Sequence, residues 1–209
     1  NENNMDYFNR VLLAALTQPP KPSLLADSLM NISSSLTELY LSDTNQWNDS
    51  VPFLIKALQS LHKLEKLDLS NSDSDFWFQT EQLVAIIHAI PAEHLKELSL
   101  YSQPLRVEGI QALIDKKPQM NQLEVLDLSH TGINNEGVLL VARGLLPKLP
   151  KLRRLNFFET SMKSSTALEL IKSGVKHMTR NMLICIEAVI HEAQEDKNVK
   201  TRSQGMKKQ

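Results

Sequence analysis

The sequence predicts an α/β solenoid, a run of short parallel strands on one face with a helix after each strand on the other. Three observations lead there. A six-residue pattern, LxxLxL, recurs along the chain. Its copies are almost evenly spaced, and the segments between them carry apolar residues at helical spacing.

The pattern reads LTELYL at residues 36–41, LEKLDL at 64–69, LKELSL at 95–100, LEVLDL at 123–128 and LRRLNF at 152–157. Successive starts lie 28, 31, 28 and 29 residues apart. One copy would be a weak signal, but five in near-constant register form a repeat. Side chains alternate along an extended segment, so the fourth and sixth positions point to one side. The leucine at the first position enters the core from the turn before the strand. Parallel strands need a crossover connection, which a helix usually supplies. The intervening segments 52–58, 82–87, 108–113 and 136–142 have the spacing for it. Burying a leucine contributes roughly 1.5–3 kcal/mol. One repeat cannot cover its own apolar face, so stability must come from stacked neighbours.

The stretch LEVLDLSHTGINNEGVLLVARGL, residues 123–145, resembles a ribonuclease-inhibitor-type leucine-rich repeat, with Glu136-Gly137 opening its helix. Glu108-Gly109 repeats that opening, and the chain is similar to this family from about residue 23 to residue 162. The resemblance implies a short horseshoe of five clear repeats plus caps, with strands on the concave face and helices on the convex face. It also implies binding to another protein. Some relatives regulate small GTPases, and repeats of this type occur as recruitment segments in effectors that bacteria inject into host cells. The family often carries Asn or Cys at the ninth position to bond the turning backbone. Here that position holds Thr44, Ser72, Gln103, Thr131 and Thr160, which bears on the regularity of the turns.

Three regions are expected. Residues 1–22 read as an N-terminal cap helix over 5–16 and a Pro-rich turn, residues 23–195 as the repeat domain with its C-terminal cap, and residues 196–209 as a disordered basic tail. Ser23 suits the N-cap of a helix running to about Met30. Residues 182–186 fit two patterns. Adding the 29-residue period to Phe157 lands on Ile186, which favours a sixth strand. Met178, Met182, Ile186, Val189 and Ile190 also suit one continuous helix.

The bulk composition excludes several function classes. The net charge is -1, although residues 1–104 hold 6 Lys and Arg against 13 Asp and Glu while the remainder holds 17 against 11. A cluster of Lys148, Lys151, Arg153 and Arg154 falls short of the basic, aromatic-laced surface that nucleic acid requires. No apolar run approaches the ~20 residues of a membrane span. The single Cys185 lies in an apolar run, which suits a reducing compartment and an inert thiol. The six histidines show no paired spacing for a metal, and the six glycines form no phosphate loop. The expectation is a non-enzymatic protein-binding module without metal or cofactor, monomeric on its own. It belongs in the cytoplasm, or in the host cytoplasm if it is an injected effector.

Candidate contact residues come from the strand positions between the leucines, which line the concave face. Tyr40, Tyr101 and Phe158 stand out because aromatics are enriched at binding hot spots. Phe158 has the alternative of lying under the C-terminal segment. Asp68 and Asp127 form an acidic ladder and Arg154, beside Arg153, a basic end, so the face is expected to grade from negative to positive. His130 occupies the eighth position of its repeat. The 31-residue repeat inserts Asp73-Ser74-Asp75-Phe76-Trp77-Phe78. Phe76 or Phe78 would fill the core there, as Leu105 and Ile133 do elsewhere, leaving Trp77 to be presented outward or simply packed.

Overall fold

The computed structural model describes residues 10–12, 21–42, 50–71, 78–116, 119–158, 160, 162–177 and 183–185. Its strands are β1 (Arg10–Leu12), β2 (Glu38–Tyr40), β3 (Lys66–Asp68), β4 (Glu97–Ser99), β5 (Val125–Asp127), β6 (Arg154–Asn156) and β7 (Leu183–Cys185). They form one seven-stranded sheet in sequence order, every neighbouring pair parallel. The register repeats the sequence pattern: Leu39, Leu67, Leu98, Leu126 and Leu155 face one another rung by rung. All five are buried, as are the first- and sixth-position residues around them, including Phe157. The ladder continues past the strands, with the Leu41, Leu69, Leu100 and Leu128 N–H groups donating to the next rung.

Between the strands run α1 (Pro22–Asn31), α2 (Val51–Ser60), α3 (Thr80–Ala89), α4 (Arg106–Lys116), α5 (Asn135–Leu140) and α6 (Ser164–His177). Each packs on the next, so the helices form a second layer over the sheet. α5 runs on into a π-helical turn over Val141–Leu145 and a 3-10 turn over Leu146–Lys148. Gly144 sits in that wide turn, where a Cβ would lie 2.8 Å from Ile114 Cδ1. The Glu-Gly openings have a packing cause. A Cβ at Gly109 would lie 2.3 Å from the buried Leu105 Cδ1, and one at Gly137 would lie 3.2 Å from Ile133 Cβ. The small residue lets the core-filling side chain before the helix tuck beneath its first turn.

The fold is the leucine-rich-repeat solenoid expected, with corrections at the ends. Arg10–Leu12 is a strand, not part of a helix over 5–16, and its Val11 pairs with Leu39. Val11 lies one 28-residue period before Leu39, so FNRVLL at residues 8–13 is a degenerate copy of the repeat. Its pairing covers a β2 edge that would otherwise leave a row of backbone groups without partners. Ser23 lies inside α1, because Pro22 opens the helix and Lys21 caps it. At the other end Leu183–Cys185 pairs with β6 in parallel, Ile184 opposite Leu155, which gives the strand reading at the 29-residue period. The remainder of residues 1–20, the tail 196–209 and the flanks of β7 lie outside the described residues.

Candidate functional site

Parallel pairing in constant register turns each repeat position into a row across the sheet. The third-position row runs Glu38, Lys66, Glu97, Val125, Arg154, and the fifth-position row runs Tyr40, Asp68, Ser99, Asp127, Asn156. The two rows lie on the face opposite the leucines, because alternate residues of a strand project to opposite sides. Between them lies a hollow of about 240 Å³ spanning β2 to β6. It gathers four of the expected residues, Tyr40, Asp68, Asp127 and Arg154, and adds Lys66, Glu97, Ser99, Val125 and Asn156.

The charges in the hollow are held by specific partners. Lys66 Nζ lies 3.7 Å from Glu38 and 3.2 Å from Glu97, bridging β2 and β4. The hydrogen bond to Glu97, followed by the charges of Glu97 and Glu38, raises the Lys66 ammonium above its ordinary value against the opposing effect of burial. The Tyr40 hydroxyl donates to Glu38 Oε2 at 3.0 Å. Asp68 and Asp127 do local work as well, each accepting the N–H two residues on, from Ser70 at 2.8 Å and Ser129 at 2.9 Å. The second oxygen of Asp127 accepts from Asn156 Nδ2 at 2.8 Å. Within the expected gradation from negative to positive, Lys66 interrupts the acidic ladder and Arg153 pairs with Glu124 at 2.8 Å. Arg154 remains exposed at the β6 end of the hollow.

Tyr101, His130 and Phe158 are not among the residues lining the hollow; they stand beyond the C-terminal ends of β4, β5 and β6. The Tyr101 and His130 rings meet with centroids 4.9 Å apart at 57°. The His130 N–H donates to the Phe158 carbonyl at 2.9 Å, and the Phe158 N–H to Ser129 Oγ at 3.0 Å. Ser102 and His130 share the eighth position and a left-handed backbone, φ 57 and 58, which turns the chain out of the sheet. Phe158 is half-buried, and Asn71, at the eighth position of the repeat that starts at Leu64, is buried at 4% exposure. Trp77 lies outside the described residues, whereas Phe78 is core, as are Leu105 and Ile133. At two of the ninth positions the side chain bonds backbone without Asn or Cys, Thr131 Oγ1 donating to Leu128 O and Gln103 Nε2 to Leu69 O, whereas the buried Thr160 hydroxyl has no partner among the described residues.

A second row of charges is not apparent from any single strand. At the second position Lys96 pairs with Glu65 at 2.7 Å and Arg153 with Glu124. The alternating signs at one repeat position were the available signal. Among the described residues no group of His, Cys, Asp and Glu could hold a metal, and no helix is long and apolar enough to cross a membrane.

These features define the class as a leucine-rich-repeat solenoid with an open, mixed-charge strand face. A scan against protein families finds no match, and neither does a search of curated proteins. Among solved structures, the chain is similar to one in the crystal structure of the Rad7 and Elc1 complex in yeast. The identity is 17% and the TM-score 0.52 over 87% of this chain and 50% of that one, so the chain spans half the length of that neighbour. A protein from Bacteroides fragilis aligns at 14% identity over 80% of this chain and 61% of that one, with a TM-score of 0.36. The first likeness supports the solenoid fold, and the second is too distant to support a common one.

Proposed function

We propose that this chain is a non-catalytic protein-binding module that receives its partner on the strand face, and that its repeats are of the ribonuclease-inhibitor type. The observation that carries the reading is the hollow, where Tyr40, Asp68, Asp127 and Arg154 from four different strands line one concavity. The Tyr101–His130 ring pair, on the C-terminal side of the same strands, extends the contact surface with aromatic area. Such a surface combines an anchor with fixed polar groups, as protein interfaces do. Helices of 10, 10, 10 and 11 residues in α1 to α4 support the long-helix repeat type. The crystallised complex of Rad7 with Elc1, in which a similar fold occurs, supports a binding role. Quantitative affinity purification with the wild type and with Tyr40→Ala/Tyr101→Ala tests it. The double variant should fold and lose the partners that the wild type retains, and equal recovery of every partner would reject the strand face as the contact.

A further inference from the structure

We infer that Arg154 is the specificity-determining residue of this face, and that it receives a carboxylate borne by a partner segment next to an aliphatic group. This rests on the proposed binding role of the strand face and goes further by naming the chemistry that the face selects. The third-position row supplies the argument. Lys66 has a glutamate on each side in register, Glu38 and Glu97, and is ion-paired to both. Arg154 occupies the same position three rungs further on, but its register neighbours are Val125 and Leu183.

The row thus stops matching charge to charge where Arg154 stands. Among the described residues Arg154 enters no ion pair, whereas its neighbour Arg153 is taken by Glu124. Asp127, the carboxylate of the adjacent rung, is engaged by the Ser129 N–H and Asn156 Nδ2. Arg154 is exposed and still lines the hollow, beside Val125. A planar guanidinium offers two parallel N–H donors that match the two oxygens of a carboxylate. Val125 offers the aliphatic surface on which the stem of a glutamate can lie.

The rest of the hollow limits the incoming charge. Asp68, Glu97 and Asp127 line the same space, with Lys66 the only other cation among the described residues that line it. A group carrying one negative charge can be balanced by Arg154 alone. The lining carries three carboxylates against two cations, so each further negative charge is opposed, and a phosphate, with close to two at neutral pH, is opposed about twice as strongly as a carboxylate. The occupant is therefore a carboxylate of a polypeptide and not a phosphorylated segment.

A displayed library of heptapeptides tests this, with the central residue fixed as Glu, Gln, phosphoserine or Lys and the flanks random. The full chain is used as wild type, Arg154→Ala, Arg154→Glu and Tyr40→Ala/Tyr101→Ala. Wild type should enrich Glu over Gln by about tenfold, the size of one hydrogen-bonded charge contact, with aliphatic residues beside it. Arg154→Ala should bring the Glu and Gln sets level, and Arg154→Glu should favour Lys. Equal Glu to Gln ratios for wild type and Arg154→Ala, or enrichment of phosphoserine above Glu, would overturn the assignment. If peptides are selected with no charge preference and Tyr40→Ala/Tyr101→Ala abolishes selection, the binding face stands and the role of Arg154 fails. If wild type selects nothing, both fail.

Discussion

Gly109 shows how a residue that carries no chemistry can set the geometry of a repeat. Its hydrogen faces Leu105, whose side chain is fully buried beneath the start of α4. A methyl group there would lie 2.3 Å from Leu105 Cδ1 and 2.6 Å from its Cγ, far inside van der Waals contact. Moving the outer methyl alone cannot relieve that overlap, so Leu105 must leave its place or α4 must lift. Alanine otherwise favours helices over glycine by about 1 kcal/mol, which opposes the clash. Overpacking of a filled core costs about 1–3 kcal/mol, and here it should win. Gly109→Ala is expected to lower the urea midpoint with an unchanged denaturant slope. The same substitution at Gly137, where the nearest atom is Ile133 Cβ at 3.2 Å, should cost less. A higher midpoint for Gly109→Ala would mean that Leu105 has room to move.

At the scale of strands, charge works with backbone pairing to hold the register. Lys66 ties β2 to β4 across β3, and Lys96 and Arg153 tie the next rungs through Glu65 and Glu124. The Lys66 ammonium is raised from its ordinary value of 10.5 chiefly by the hydrogen bond to Glu97. A raised folded value means that the fold binds this proton more tightly than the unfolded chain does. The stabilisation is then complete below pH 10.5 and is lost as pH rises through the folded value. The melting temperature of wild type relative to Lys66→Met should be constant from neutral pH up to that range, and the difference should shrink above it. A difference that stays constant through pH 11 would show that the ladder does not couple to folding. These ladders were hard to read in advance because each partner lies one full repeat away and looks like an ordinary surface charge in its own strand. The leucines were legible because each is fixed by its own strand's alternation. β1 hid for the opposite reason: Val11, Leu12, Ala15 and Leu16 satisfy a helical spacing as well as the repeat, and only the 28-residue offset from Leu39 separates the two. For the site, position within the repeat sufficed to place Tyr40, Asp68, Asp127 and Arg154 on one face. It could not show that the Tyr101 and His130 rings would meet beyond the strands, because that depends on the left-handed turn at His130.

The whole molecule is a one-dimensional stack, so the reach of any perturbation along it should be short. Among the described residues each strand pairs only with those next to it in sequence order, and each helix packs chiefly on its neighbours. The fourth-position leucines form a single file through the core, Leu39, Leu67, Leu98, Leu126 and Leu155. Strands in a sheet lie ~4.8 Å apart, so Leu98 and Leu126 are in direct contact range while Leu39 and Leu126 are separated by ~14 Å. Removing one methylene from a buried leucine costs about 1 kcal/mol, small enough for pairs of substitutions to be borne. Leu39→Val and Leu126→Val share no neighbour, and their destabilisations should add to within about 0.5 kcal/mol. Leu98→Val and Leu126→Val share the same wall of the core. A gap opened by one can be taken up by the side chain next to it, so their double-mutant cycle should depart from additivity by more than about 0.5 kcal/mol. Urea denaturation of the three single and two double variants measures both. A coupling between the distant pair as large as that between the adjacent pair would mean that the core responds as one globular unit. The strand face would then transmit a change at one end of the hollow to the other. Short-range coupling would instead leave Tyr40 and Arg154, four rungs apart, free to be tuned separately for different parts of one partner.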